Sequence, residues 1–381
     1  MHVEPLVWNQ KTGWNGASNG KADLVLYFGD REPLADGARY RELKAMYPNG
    51  HIVGCSTGGQ IRGDDVSDDE IAVVAMQFSA TQLRVVCEDV SSQDGSHACG
   101  QAIGRKLQAA DLAGIFVLSD GLNVNGSALV AGITQIIGNR VPLTGGLAGD
   151  GSRFAETSVG ADCAPRSHAV AAIGFYGDAI RFGHGSAGGW DVFGPRRWIT
   201  RSAGNVLFEL DGEPALDLYE RYLGEEESKG LPGTALLFPL RIHDPEHPED
   251  EVVRTVLAVD REKRSMTFAG DVPQGWCAQL MSGNFDRLAQ GAADAARHAQ
   301  TMIGQHGQSE GVAVLVSCIG RRLLMGQRII DEVEGATAEL GPLLSRIGFY
   351  SYGEISPHAP SGACGLHNQT MTVTTITEAA V

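Results

Sequence analysis

The sequence predicts an α/β protein, with two α/β domains, mixed parallel and antiparallel sheets and an internally repeated unit. Three observations lead there. A short apolar strand, a helical stretch, a second strand and a glycine-rich turn follow one another three times. β-Branched runs such as Met371-Thr-Val-Thr-Thr-Ile-Thr377 mark strands, and alanine-rich stretches such as Phe285–Ile303 mark helices. Finally, 381 residues exceed one ordinary hydrophobic core, so two domains are expected, 1–212 and 213–381.

The first unit runs from Asp23-Leu-Val-Leu-Tyr-Phe28, through a helix near Leu34–Met46, to Ile52–Ile61. The second runs from Gly114-Ile-Phe-Val-Leu-Ser119, through Leu129–Ile137, to Val141–Gly151. The third runs from Val312-Ala-Val-Leu-Val-Ser317, through Ile329–Leu340, to Ile347–Ile355. Each ends in a turn where glycine lets the backbone approach another group closely, as at Gly58, Gly149 and Gly353. Such strand-end turns are where α/β proteins place ligands.

Between the units, Ala98–Leu107 carries helical spacing, and two hairpins are expected. One joins Ile71–Phe78 to Leu83–Cys87 through Ser79-Ala-Thr-Gln. The other joins Ala169–Phe175 to Ala179–Phe182 through Gly177-Asp178. The domain boundary falls at Leu210-Asp-Gly-Glu-Pro-Ala215, where Asp211-Gly212 signals a turn and Pro214 a helix start. Arg241–Glu251 reads as an acidic, proline-broken loop, and Val252–Val259 with Met266–Ala269 as a hairpin. Gly13–Lys21 reads as a flexible loop before the first strand.

Composition removes several functions. With 30 basic and 46 acidic residues the net charge is −16, which disfavours nucleic acid and anionic membranes as partners. No apolar run approaches the ~20 residues that span a bilayer, and Met1-His-Val-Glu-Pro lacks signal-peptide character. A cytoplasmic protein is expected. The seven cysteines never form Cys-x-x-Cys, so a zinc ribbon, a redox dithiol and a disulfide scaffold are all disfavoured. His243 and His247 are four apart, but Pro245 breaks the helix a metal pair would need.

Two motifs imitate catalytic or cofactor signatures. Gly54-Cys-Ser56-Thr-Gly58 matches a serine-hydrolase nucleophile elbow, yet Gly59-Gln-Ile-Arg-Gly63 does not begin the required helix. Gly183-His-Gly185-Ser-Ala-Gly188 spells a dinucleotide fingerprint, but Gly189-Trp190 and Pro195 follow instead of a helix. What survives is a set of aromatic and imidazole groups on glycine turns: His184, Trp190, Tyr350, Tyr352 and His367. A neutral imidazole beside an apolar wall is what b-type haem requires. Alternatively, backbone amides at the turns hold a carboxylate while Glu354 or Asp150 takes an ammonium group.

Taken in order, Val53–Ile61, Gly145–Gly151, Gly189-Trp through Gly194-Pro, Leu210–Tyr219, Gly348–Ile355 and His367-Asn-Gln-Thr370 resemble the FIST sensory domain, from about Asp23 to Thr377. The resemblance implies a small-ligand sensor of signal transduction and not an enzyme. Its stand-alone NosP group implies b-type haem, nitric oxide as the signal, and control in trans of a histidine kinase or a cyclic-di-GMP enzyme. His184 and His367 are then the candidate iron ligands, with Trp190, Tyr350 and Tyr352 around them. The other reading is a FIST module binding an amino acid or another metabolite without haem, and a distant one is a serine hydrolase using Ser56. On either ligand reading Ser56, Gly58, Gly149, Asp150, Gly353 and Glu354 form the binding turns.

Overall fold

The computed structural model describes residues 1–16, 18–304, 309–358 and 362–379. All three repeats form their parallel pair. Leu24–Gly29 lies parallel to His51–Ser56, Leu112–Ser119 to Leu143–Leu147, and Gly311–Cys318 to Leu344–Ser351. The connecting helices include Ala38–Met46, Gly126–Ile137 and Ile329–Ala338. Against each first strand lies an antiparallel one, Glu70–Gln77, Ala169–Tyr176 or Met371–Glu378. A further strand flanks each of these in turn: His2–Asn9, Gln82–Asp89 and Ile180–Ala187.

The glycine turns then exchange strands in a cycle. Gln60–Arg62, after the first turn, pairs with Phe349–Ile347 of the third sheet. Gly353–Pro357, after the third turn, pairs with Leu147–Gly145 of the second. Val159–Ala161, after the second turn, pairs with Cys55–Val53 of the first. The turns touch around this cycle: the Gly149 N–H donates to the Ser56 carbonyl (3.0 Å), and the Gly58 N–H to that of Tyr350 (2.7 Å). The Tyr352 N–H donates to the Leu147 carbonyl (3.1 Å).

One face of each sheet meets in a shared core containing Leu24, Leu26, Phe28, Phe116, Val314 and Phe349. Alternate residues such as Val25 and Tyr27 face outward onto Leu34, Leu43 and Tyr47. Strands buried on both faces read as continuous apolar runs, as these do. Outside the second sheet, Ser96–Leu107 packs on Gly126–Ile137; outside the third lies Phe285–Ile303, with Ala292, Ala295, Ala296 and Ala299 buried. Its alanines explain the Gly183-x-Gly185 pattern. A Cβ at Gly185 would stand 2.0 Å from the Ala295 carbonyl oxygen, so only glycine admits the helix.

A fourth sheet, of nine strands, is built between Trp190–Val192 and Cys277–Gly283, an excursion between two strands of the third sheet, Ile180–Ala187 and Gly311–Cys318. Its core joins Ile199, Leu207, Ile242 and Phe268 to the helix Ala215–Leu223. The second and third sheets both draw strands from either side of residue 212.

Several sequence expectations are corrected. Glu70–Gln77 and Gln82–Asp89 lie in different sheets, because Glu378 accepts the Ser79, Ala80 and Thr81 amides and carries the chain across. Ala169–Tyr176 and Ile180–Ala187 also part, although Gly177 does turn with φ +105°. Arg241–Glu251 is no loop but the paired strands Leu240–Asp244 and His247–Arg254, turning at Pro245-Glu246. The start of the expected loop Gly13–Lys21 is itself a strand, Gly13–Asn15, paired with Asn9–Val7 of a strand that precedes it; Ala17 lies outside the described residues.

Candidate functional site

The candidate site lies where the inserted sheet covers the ends of the parallel strands of the second and third repeats. There a cavity of about 90 Å³, open to solvent at its mouth, runs between them. Its floor is Leu147, Cys318, Ile319, Gly320 and Tyr352; Leu122 and Val124 form a side, and Thr255, Leu257 and Phe268 roof it. This is the carboxyl end of a parallel sheet, the usual ligand position in α/β folds.

Asp120, just beyond the strand Leu112–Ser119, builds the side wall. Its carboxylate accepts the N–H groups of Leu122 (2.8 Å), Asn123 (3.0 Å) and His168 (2.6 Å) and the Thr157 hydroxyl (2.7 Å). Burial alone would raise its pKa, but hydrogen bonds from Asn123, Leu122 and His168 hold it below the usual carboxylate value. Asn125 then caps the helix Gly126–Ile137 through the Ala128 N–H (3.0 Å) and donates across to Asp271 of the inserted segment (3.0 Å).

Two glycine turns meet at the cavity's edge. The Tyr352 hydroxyl bonds to the Asp150 carboxylate, and the Phe154 ring stacks on that of Tyr352 with centroids 4.6 Å apart. Phe154 adopts φ +49° and stays 39% exposed, which sets it at the mouth opposite Leu257, 45% exposed. Asp150 also accepts the Ala155 and Glu156 amides (3.0 and 2.9 Å). Against burial, Tyr352 and these amides keep it ionised.

Of the residues picked from sequence, Tyr352 lines the cavity, with Asp150 bonded behind it and Gly149 and Gly353 in the turns alongside. Those glycines, like Gly58, are needed for close approach and none has positive φ: a Cβ at Gly149 would lie 3.0 Å from the Gly58 nitrogen. Glu354 is turned inward, accepting the Ser351 (2.6 Å) and Thr370 (2.9 Å) hydroxyls; burial pushes its pKa up to about 8. Ser56 is wholly buried and its Oγ accepts the Ser158 N–H (2.9 Å). The chain after it runs into the strand Gln60–Arg62, not a helix. Tyr350 is buried beneath Arg322, 5.3 Å from the ring centroid, and Trp190 donates its indole N–H to the Gln369 carbonyl (2.6 Å).

The two histidines lie apart from the cavity walls. His184 sits on the strand Ile180–Ala187 opposite Thr374, and burial lowers its pKa. His367 is buried against His358 (centroids 4.4 Å), with Nε2 3.0 Å from the Ser356 carbonyl; burial depresses its pKa to about 3. Haem held by either would need an apolar slot at a free ring nitrogen. The cavity offers no histidine among its described walls, so its residues do not fit a histidine-ligated haem there. Among the described residues no group of three or more His, Cys, Asp or Glu is placed to hold a metal ion.

Sequence reasoning missed Thr255, Leu257 and the Cys318–Gly320 segment. The signal available was the end of each unit's first strand, where a polar or glycine-bearing loop also begins.

Such an arrangement, a cavity at strand ends with mainly apolar walls, is of the kind in which α/β proteins hold small ligands. The family models agree: that of the FIST N domain matches residues 23–213 and that of the FIST C domain residues 215–357. The chain belongs to the FIST family, whose members sense small ligands in signal transduction. It is also similar to the uncharacterised protein MJ1623 of Methanocaldococcus jannaschii, 26% identical over 225 residues. That match covers 54% of this chain and 41% of the relative, so the chain spans less than half of that protein's length. No helix among the described residues is long and apolar enough to cross a membrane.

Proposed function

We propose that this FIST protein senses a small molecule held in the cavity beneath the inserted sheet. Its occupancy is read by a separate signalling protein, of the histidine-kinase or cyclic-di-GMP-enzyme kind that the resemblance implies. The observation that carries the reading is the convergence on one cavity of two strand ends, the stacked Phe154–Tyr352 pair and the inserted sheet. A ligand there touches the second sheet, the third sheet and the inserted sheet at once, so binding biases their packing. The test is a thermal-shift screen of metabolites on the wild type and on Leu257→Trp, which fills the mouth at an exposed position. Compounds acting through the cavity lose their effect in the variant; equal stabilisation of both proteins refutes the site.

The haem and nitric-oxide reading rests on the resemblance and on one further observation: burial keeps both imidazoles in the neutral, iron-ligating form. Its test is separate. Protein produced with ample haem should show a Soret band that His184→Ala or His367→Ala removes or shifts. A colourless protein, or spectra unchanged in both variants, rejects it.

A further inference from the structure

We infer that the cavity takes an uncharged, largely apolar ligand with one hydroxyl-sized polar group, which Thr255 receives. This rests on the cavity being the sensory site. Thr255 is only 4% exposed, and its Oγ1 has no hydrogen-bond partner although it belongs to the cavity wall. A buried hydroxyl without a partner is costly, and a ligand that pairs with it recovers that cost. The remaining polar groups of the wall are largely engaged. Asn125 caps its helix and bonds Asp271, the Asn205 amide donates to the Phe268 carbonyl (2.8 Å), and the Tyr352 hydroxyl is held by Asp150.

No Asp, Glu, Lys, Arg or His stands among the described lining residues. The charges around it serve the scaffold, Asp120 and Asp150 among them through the bonds described above. Arg254, behind Gly270, gives Nε to the Asp271 carbonyl (2.9 Å) and Nη1 to that of Leu366 (3.0 Å), while the Asp271 carboxylate takes Asn125. An ion entering this space would lose its hydration with no counter-charge to replace it. Leu122, Val124, Leu147, Leu257, Phe268 and Ile319 present apolar surface instead, suited to a hydrocarbon or aromatic body. The zwitterion of a free amino acid does not match these walls.

The experiment titrates the full chain, by calorimetry, with four probes sharing one body: 2-phenylethanol, phenylacetate, phenethylamine and L-phenylalanine. The alcohol should bind at least about tenfold more tightly than each charged analogue. Thr255→Val should weaken the alcohol about fivefold while leaving ethylbenzene unchanged. If a charged analogue binds as tightly as the alcohol and Leu257→Trp abolishes it, the inference fails and the cavity remains the sensory site. If binding persists unchanged in Leu257→Trp, the probes bind elsewhere and the inference fails, while the metabolite screen still decides the site. Absence of alcohol binding at millimolar concentration overturns the inference alone, since the metabolite screen decides the site independently.

Discussion

Glu332→Gln should be among the most damaging single changes in the molecule. Arg321 and Glu332 are both wholly buried, with Arg321 Nε 2.6 Å from Glu332 Oε2. The Ser317 hydroxyl donates to the other carboxylate oxygen (2.6 Å). The guanidinium also bonds the carbonyls of Gly188 and Leu288, the latter at 2.7 Å. At that separation an effective dielectric of about 20 puts the Coulomb attraction near ~6 kcal/mol as a ceiling. Removing one partner from a buried pair costs roughly 3–5 kcal/mol, and the carbonyls that still solvate Arg321 place the loss near the lower figure, about 3 kcal/mol. Gly188 and Leu288 bracket the inserted sheet, so Arg321 clamps both of its stalks. Urea unfolding should show the stability loss, and hydrogen exchange should quicken across residues 190–283 before the central sheets. A loss under about 1 kcal/mol, with exchange unchanged at the stalks, would refute the clamp.

Other expectations follow from particular contacts. The folded pKa of Glu354, about 8, lies above its ordinary 4.5. The folded state therefore binds the extra proton between those values, and its contribution to stability is full below pH 4.5 and lost as pH rises toward 8; Glu354→Gln should flatten that decline in a series of unfolding curves. Glu378 works oppositely: amides and the Thr81 hydroxyl hold it at about 2, so its contribution is present above 4.5 and lost as pH falls toward 2. Comparison of Glu378→Gln with wild type across that acid range checks the sign. Gly185→Ala should cost about 1–3 kcal/mol by pushing the helix Phe285–Ile303 off its strand, and wild-type stability would show that the helix can yield. Ser56→Ala should cost about 1 kcal/mol, the bond to the Ser158 amide, and leave any trace esterase activity unaltered; a selective loss of turnover would revive the nucleophile.

The repeats were legible because their signal is local. Val312–Ser317 and Met371–Thr377 announce themselves by β-branching, and the helix Phe285–Ile303 by its alanine stripe, whatever they later pack against. Pairing was less legible. Gly177 supplies the same backbone freedom to a hairpin and to a chain crossing between sheets, and the deciding contact at the other crossing, Glu378 on residues 79–81, lies almost the whole chain away. The site was hidden for a similar reason. Tyr352 could be found from its glycine turn, whereas Thr255 and Leu257 belong to what reads as an ordinary hairpin until the inserted sheet is folded back over Cys318–Gly320. The Gly183-x-Gly185 spacing has a packing cause, a helix lying against the strand, which needs a partner more than a hundred residues further on.

The cyclic strand exchange has a consequence for how the chain is made. No repeat can finish its own sheet as it leaves the ribosome. Val53–Cys55 waits with an open edge for Val159–Ala161, and Gln60–Arg62, though it can pair at once with Asp65–Ser67, has nothing to join on its other edge until Leu344–Ser351 has been synthesised. The third sheet also needs Met371–Glu378 in its interior, between Ile180–Ala187 and Gly311–Cys318. Pairings so distant in sequence are slow to find, and unfilled edges are sticky while they wait. The cycle therefore closes only after Leu344–Ser351, Gly353–Pro357 and Met371–Glu378 have been made, and the edges left open until then are where the nascent chain is most exposed to aggregation.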